Sequence, residues 1–150
     1  MIPLSLAKIA EITRGRLDDA SPETVVSGPV VIDSRKAGPR ALFVALRGEH
    51  ADGHDFAAQA VEAGAAAVLA EREVGTPAVV VDDVLAAMGG LAREVVDRLP
   101  EMTVIGLTGS AGKTSTKDLL AHLVARLGPT IAPPGSYNNE IGHQIGRAHV

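Results

Sequence analysis

The chain has 150 residues, 46% of them hydrophobic, with a formal net charge of −4 and no cysteine. That suffices for one packed domain, or for a small domain and part of a second; the missing cysteine excludes disulfides and thiolate metal sites, and the mild acidity without a basic run argues against a nucleic-acid partner. No apolar run approaches membrane-spanning length and no charged segment leads into a long apolar one at the N-terminus, so a soluble, cytoplasmic protein without membrane insertion is expected.

Only two Phe and one Tyr are present, so the core is built from Ala, Val, Leu and Ile, the mix that suits α/β packing. Ser5 can cap a short helix with Leu6, Ile9 and Ala10 on one face, ending near Gly15. Val30-Val31-Ile32 and Leu42 to Leu46 read as strands around the turn-rich Lys36 to Arg40. An alanine-rich helix follows from His54 to Ala63, stopped by Gly64. Ala66 to Ala70 and Ala78 to Val81 read as buried strands. Asp82 or Asp83 can cap a helix running to about Leu99, with Val84, Leu85, Met88, Leu91, Ala92, Val95 and Val96 at helical spacing and Pro100 closing it. Gly89-Gly90 weakens that helix by about 1 kcal/mol per glycine relative to alanine, and a bend there is expected. The fold class is therefore α/β: a small N-terminal α/β domain at residues 1–83, a connecting helix at 84–100, and the start of a second, parallel-sheet domain at 101–143.

The apolar run Val104-Ile105-Gly106-Leu107 then reads as a strand feeding Thr108-Gly109-Ser110-Ala111-Gly112-Lys113-Thr114-Ser115 and a helix start. A glycine turn of this kind aims backbone N–H groups and the positive end of the helix dipole at one small volume, which suits a polyphosphate. Lys113 adds a cation for the outer phosphates, and the Thr114 hydroxyl can ligate the Mg²⁺ that accompanies a nucleoside triphosphate. The common phosphate-loop pattern wants a glycine five residues before Gly112, where Leu107 stands, so this loop is a shorter variant. An ordinary glycine turn would not explain Gly-Lys-Thr-Ser at a helix start, where lysine opposes the dipole unless an anion is bound. Beyond it, Leu119, Leu120, Leu123, Val124 and Leu127 form an apolar stripe expected to pack on a sheet, and Gly128-Pro129 ends the helix.

Asp33-Ser34-Arg35 after the Val30 strand reads, on residue types alone, as a turn whose side chains bond nearby amides. Asp52-Gly53-His54-Asp55, with His50 nearby, could hold a metal but reads better as a turn and helix cap. Arg72, Arg93, Arg98 and Arg126 read as solvated charge, and His122 as a surface or boundary residue.

The short loop variant, together with Asp33-Ser34-Arg35-Lys36, Leu42-Phe43-Val44-Ala45-Leu46-Arg47-Gly48 and Asp52-Gly53-His54-Asp55-Phe56, resembles the Mur ligases of peptidoglycan synthesis over nearly the whole chain. Within that family, Gly112 to Asp118 and the later Asn138-Asn139-Glu140-Ile141-Gly142 are most similar to the branch that adds D-alanyl-D-alanine. The resemblance implies a uridine-binding N-terminal domain, a phosphate-loop domain holding ATP and Mg²⁺, and a further domain for the incoming amine. It implies that ATP phosphorylates the terminal carboxylate of UDP-N-acetylmuramoyl-tripeptide and that D-alanyl-D-alanine attacks the resulting acyl phosphate, whose leaving-group charge Lys113 and the metal stabilise.

On the same resemblance, Gly109, Ser110, Ala111, Gly112, Lys113, Thr114 and Ser115 grip ATP, Lys113 is the catalytic cation and Thr114 the metal ligand. Ser34 and Arg35 contact the uridine diphosphate. Asn138 and Asn139 contact substrate or nucleotide, without a choice between the two. A monomer is expected. The diaminopimelate- or lysine-adding Mur ligases share the first domain and the loop but are expected to carry threonines in place of Asn138-Asn139; folylpolyglutamate synthase lacks the first domain altogether. A UDP-substrate-binding module without catalysis is the non-enzymatic alternative, since later catalytic groups are missing and the fragment alone is expected to be inactive. Residues 144–150, Gln-Ile-Gly-Arg-Ala-His-Val, show no periodicity and match a translated sequencing adapter, so a non-native tail without function is expected.

Overall fold

A computed structural model describes residues 1–48 and 51–133; Glu49, His50, Asn138, Asn139 and the 144–150 tail lie outside the described residues. The first hundred residues form a three-layer α/β unit. Its sheet has five strands in the order β2-β7-β6-β5-β4, where β4 is Val30–Val31, β5 Leu42–Val44, β6 Ala67–Ala70 and β7 Ala78–Val80, all parallel, and β2, Arg16–Asp18, is the antiparallel edge. A separate antiparallel pair joins β1, Leu4–Ser5, to β3, Val25–Val26.

Strand periodicity divides the core in two. Leu42, Val44, Leu69 and Val79 face one side, where they meet Leu6 and Ile9 of α1 (Leu6–Thr13) and Val84, Met88 and Leu91 of α3 (Val84–Asp97). Phe43, Val68, Ala70 and Ala78 face the other, against Ala57 and Ala60 of α2 (Ala57–Glu62). Each fully buried Leu, Val or Phe contributes about 1.5–3 kcal/mol. The small alanines bring α2 close to its face of the sheet.

Local chemistry sets the helix ends as the sequence suggests, with two differences. Ser5 caps α1 by accepting the Lys8 N–H at 3.3 Å, and Asp83 caps α3 by accepting the Ala86 N–H at 2.9 Å. The left-handed residue that ends α1 is Arg14, φ 55°, rather than the glycine after it. Gly15 is there for a different reason: a Cβ would lie 2.8 Å from Val79 Cγ1, Val80 O and Val81 Cγ1. Nor does Gly89-Gly90 interrupt α3, which runs unbroken. Gly90 instead lies where a Cβ would sit 3.5 Å from the Ile12 carbonyl, so it belongs to the contact between α1 and α3. Helix α3 buries Val84, Ala87, Met88, Leu91, Ala92 and Val95, which makes it part of the first unit's core as well as the link to residue 101.

The expected helix from His54 begins as a 3-10 turn, Gly53–Phe56, before α2. Parallel strands normally need a crossover of a dozen or more residues, yet β6 and β7 are joined by residues 71–77 alone. The expected strand Val104 to Leu107 does not form. Val104, Ile105 and Leu107 are 49%, 51% and 40% exposed, because no described strand lies beside them to take their backbone hydrogen bonds. Helix α4, Lys113–Val124, forms where expected but buries no residue. Its stripe of Leu119, Leu123 and, just beyond, Leu127 stays exposed, so the expected packing on a sheet is not found among the described residues.

Candidate functional site

In an open parallel sheet, ligands bind beyond the carboxyl ends of the strands. Here the segments leaving β4, β5 and β6 carry Asp33-Ser34-Arg35, Arg47 to His54, and Glu71-Arg72. The 3-10 turn Ser34–Lys36 is capped by Asp33, which accepts the Arg35 N–H at 3.1 Å. The Arg35 side chain folds back on the same carboxylate, Nε and Nη2 both at 2.9 Å. This fork holds the Asp33 carboxyl below the usual carboxylate range and raises the Arg35 guanidinium, while leaving the Arg35 side chain 82% exposed.

Ser34 is buried and donates its hydroxyl proton to Gln59 Oε1 at 2.7 Å. Its oxygen remains an acceptor. Gln59, on α2, is a neighbour the sequence did not disclose, since nothing in its local pattern points 25 residues back to Ser34.

The second group at this rim centres on His54, which is buried. Asp52 caps its own 3-10 turn by accepting the His54 N–H at 3.0 Å, in keeping with the cap reading, and its Oδ1 also lies 2.5 Å from His54 Nδ1. Nε2 accepts the Glu71 N–H at 3.0 Å, so the ring proton sits on Nδ1 and is donated to Asp52. Those two hydrogen bonds, first the backbone and then the side chain of His54, hold the Asp52 carboxyl down to about 2. Arg72, read from sequence as solvated charge, pairs with Asp52 Oδ2 at 3.0 Å and with Asp55 at 3.5 Å. Glu71 faces Arg47 at 3.8 Å and accepts the Val84 N–H at 3.4 Å.

Among the described residues no hydrogen bond or ion pair joins Ser34 or Arg35 to the glycine loop. Gly109, φ 150°, and Gly112, φ 74°, hold conformations that side-chain-bearing residues rarely adopt. The first helical bond of α4 runs from Thr116 N–H to the Gly112 carbonyl, 2.9 Å. The amides of Lys113, Thr114 and Ser115 therefore precede the hydrogen-bonded ladder and are available as donors to an anion. Lys113 Nζ reaches back to the Gly109 carbonyl at 2.5 Å, which keeps its ammonium over the loop. The Thr114 hydroxyl stands at the first turn of α4, where oxygen-ligand chemistry fits Mg²⁺.

Comparison with known proteins gives the arrangement its context. The profile of the Mur ligase family, catalytic domain, matches residues 29–100. The chain carries a Mur ligase family domain. It is 49% identical, over 95% of its length, to UDP-N-acetylmuramoyl-tripeptide–D-alanyl-D-alanine ligase of Mycobacterium tuberculosis, covering 33% of that protein. To the ligase of the same name from Escherichia coli it is 40% identical over 95% of its length, covering 31%. Among solved structures it superposes on MurF from Acinetobacter baumannii with a TM-score of 0.85 at 33% identity, covering 99% of this chain and 33% of that one. On MurF from Thermotoga maritima, in complex with ADP, the TM-score is 0.65 at 32% identity, covering 82% and 29%. The chain thus spans about a third of the length of the relatives it matches, and the α/β architecture with its parallel strands matches the N-terminal region of the MurF structures.

Proposed function

We propose that this Mur ligase chain is the N-terminal third of an ATP-dependent ligase that joins D-alanyl-D-alanine to UDP-N-acetylmuramoyl-tripeptide, a cytoplasmic monomer that supplies peptidoglycan precursor. The similarity along 95% of the chain to ligases of that name carries the reading. Residues 1–83 bind the UDP end of the substrate at the rim beyond β4 to β6, with Ser34 offering an acceptor and Arg35 a cation for the uridine diphosphate.

Residues 101–143 open the nucleotide domain. Gly109, Ser110, Ala111 and Gly112 shape the loop, the amides of Lys113, Thr114 and Ser115 donate to the phosphates, and Lys113 neutralises their outer charge. Thr114 would hold Mg²⁺. Asn138 and Asn139 complete the site from the following segment. ATP supplies the phosphoryl group that turns a poor electrophile, the tripeptide carboxylate, into one an amine can attack. The contribution of this chain is to bind, orient and screen charge.

ADP release by the complete protein tests the proposal. Release should require UDP-N-acetylmuramoyl-tripeptide and D-alanyl-D-alanine together, and omission of either should return it to background. Release at an unchanged rate without D-alanyl-D-alanine would overturn it.

A further inference from the structure

Two polar side chains are buried among the described residues, Ser34 and His54, and both lie at the carboxyl-end rim of the sheet. His54 is more than a cap, because Asp52 already caps the 3-10 turn through the His54 backbone N–H. The ring does something else. Through Nδ1 it holds Asp52 Oδ1, leaving Oδ2 to fix Arg72 at 3.0 Å; through Nε2 it holds the amide of Glu71, whose carboxylate faces Arg47. One imidazole thus ties the segment after β5 to the end of β6, next to the two carboxylates that pair with Arg72 and Arg47. Arg35, Arg47 and Arg72 follow three adjacent strands, β4, β5 and β6, whose axes are about 4.8 Å apart. All three side chains stay exposed, at 82%, 65% and 49%, and a guanidinium is the donor best suited to a diphosphate.

We propose that His54 is a positioning residue for the anionic half of the nucleotide-sugar substrate: it does not touch the ligand, but orders Arg47 and Arg72 beside Arg35 so that the three cations meet the diphosphate in one geometry. This rests on the function proposed above. Its signature is a selective loss of affinity for one substrate.

The test uses the complete protein carrying His54→Gln, with Asp52→Asn as a second variant that breaks the same link to Arg72 should the first not fold. Val95→Ala, a core truncation on α3 remote from this link, serves as the control for destabilisation alone. His54→Gln should raise KM for UDP-N-acetylmuramoyl-tripeptide by about 5-fold or more, with kcat and the KM values for ATP and D-alanyl-D-alanine within about 2-fold of wild type. Val95→Ala should lower the melting temperature without that selective rise. An unchanged KM for the UDP substrate in His54→Gln, or in Asp52→Asn if the first variant is insoluble, would overturn the positioning role. So would a rise shared by all three substrates or matched by Val95→Ala. Absence of ligation by the wild-type protein would instead overturn the proposed function on which the inference stands.

Discussion

Gly53→Ala probes the rim through a single methyl group. A Cβ at residue 53 would lie 2.6 Å from the Leu46 carbonyl oxygen, 2.7 Å from the Leu46 nitrogen and 3.1 Å from the Ala45 carbonyl carbon. All three are backbone atoms just beyond β5, an interior strand of the sheet, so relief requires moving the chain rather than rotating a side chain. It also strains the Gly53 N–H to Leu46 carbonyl bond, 2.8 Å. Overpacking costs about 1–3 kcal/mol, and contacts with backbone place this case near the top of that range. For a unit of this size 1 kcal/mol corresponds to about 4–8 °C, so a fall in melting temperature of about 10–20 °C is expected. Gly38→Ala is the matched control. Nothing lies within 4 Å of its Cβ position and its φ is not left-handed, so the chain should be unchanged or up to about 1 kcal/mol more stable. Thermal unfolding by circular dichroism reads both; a Gly53→Ala midpoint within about 2 °C of wild type would refute the close approach.

Lys113→Ala in the complete protein should lower the ligation rate on the order of 10²- to 10³-fold with an unchanged melting temperature, because among the described residues its ammonium meets only the Gly109 carbonyl; steady-state kinetics beside a thermal melt check both, and a rate near wild type would refute the role. Thr114→Ala should shift the Mg²⁺ dependence of the rate to higher concentration, and a superimposable titration would count against the metal role. Ser34→Ala and Arg35→Ala should each weaken binding of UDP-N-acetylmuramoyl-tripeptide in calorimetry, and equal affinities in mutant and wild type would remove both from the site. Asp52 has its carboxyl depressed from 3.8 to about 2 in the folded chain, so its contribution to stability is complete above pH 3.8 and disappears as pH falls through 2. The stability difference between wild type and Asp52→Asn should therefore narrow over that interval, as thermal melts across the range would show, and a constant difference would contradict the assignment.

Much of the fold is legible in the residues because burial and capping agree with local pattern. Ser5 and Asp83 cap α1 and α3 as their types suggest, and the apolar runs at Leu42, Ala67 and Ala78 are strands because both faces of a parallel sheet are covered. What escaped was decided by distant partners. β1, β2 and β3 are two or three residues long and acquire their identity only from pairing with Val25-Val26, Ala78-Val79-Val80 and Leu4-Ser5. The run at Val104 carries every local mark of a strand, but among the described residues no strand lies beside it. The site divides along the same line. The loop at Gly109 to Ser115 is read from contiguous residues, whereas the contacts of Gln59 with Ser34, Arg72 with Asp52 and Glu71 with His54 span 17 to 25 residues, which no local pattern encodes. Gly15 and Gly90 were legible as glycines but not as contacts.

The bond that the complete protein makes separates this ligase from its diaminopimelate- or lysine-adding relatives. Mass spectrometry of the reaction mixture decides this most directly: UDP-N-acetylmuramoyl-tripeptide, ATP and Mg²⁺ are offered with D-alanyl-D-alanine, and in parallel UDP-N-acetylmuramoyl-dipeptide is offered with diaminopimelate or lysine. A UDP-N-acetylmuramoyl-pentapeptide is expected in the first mixture, formed with one ADP per product, and no tripeptide in the second. A tripeptide product in the second mixture with none in the first would contradict it.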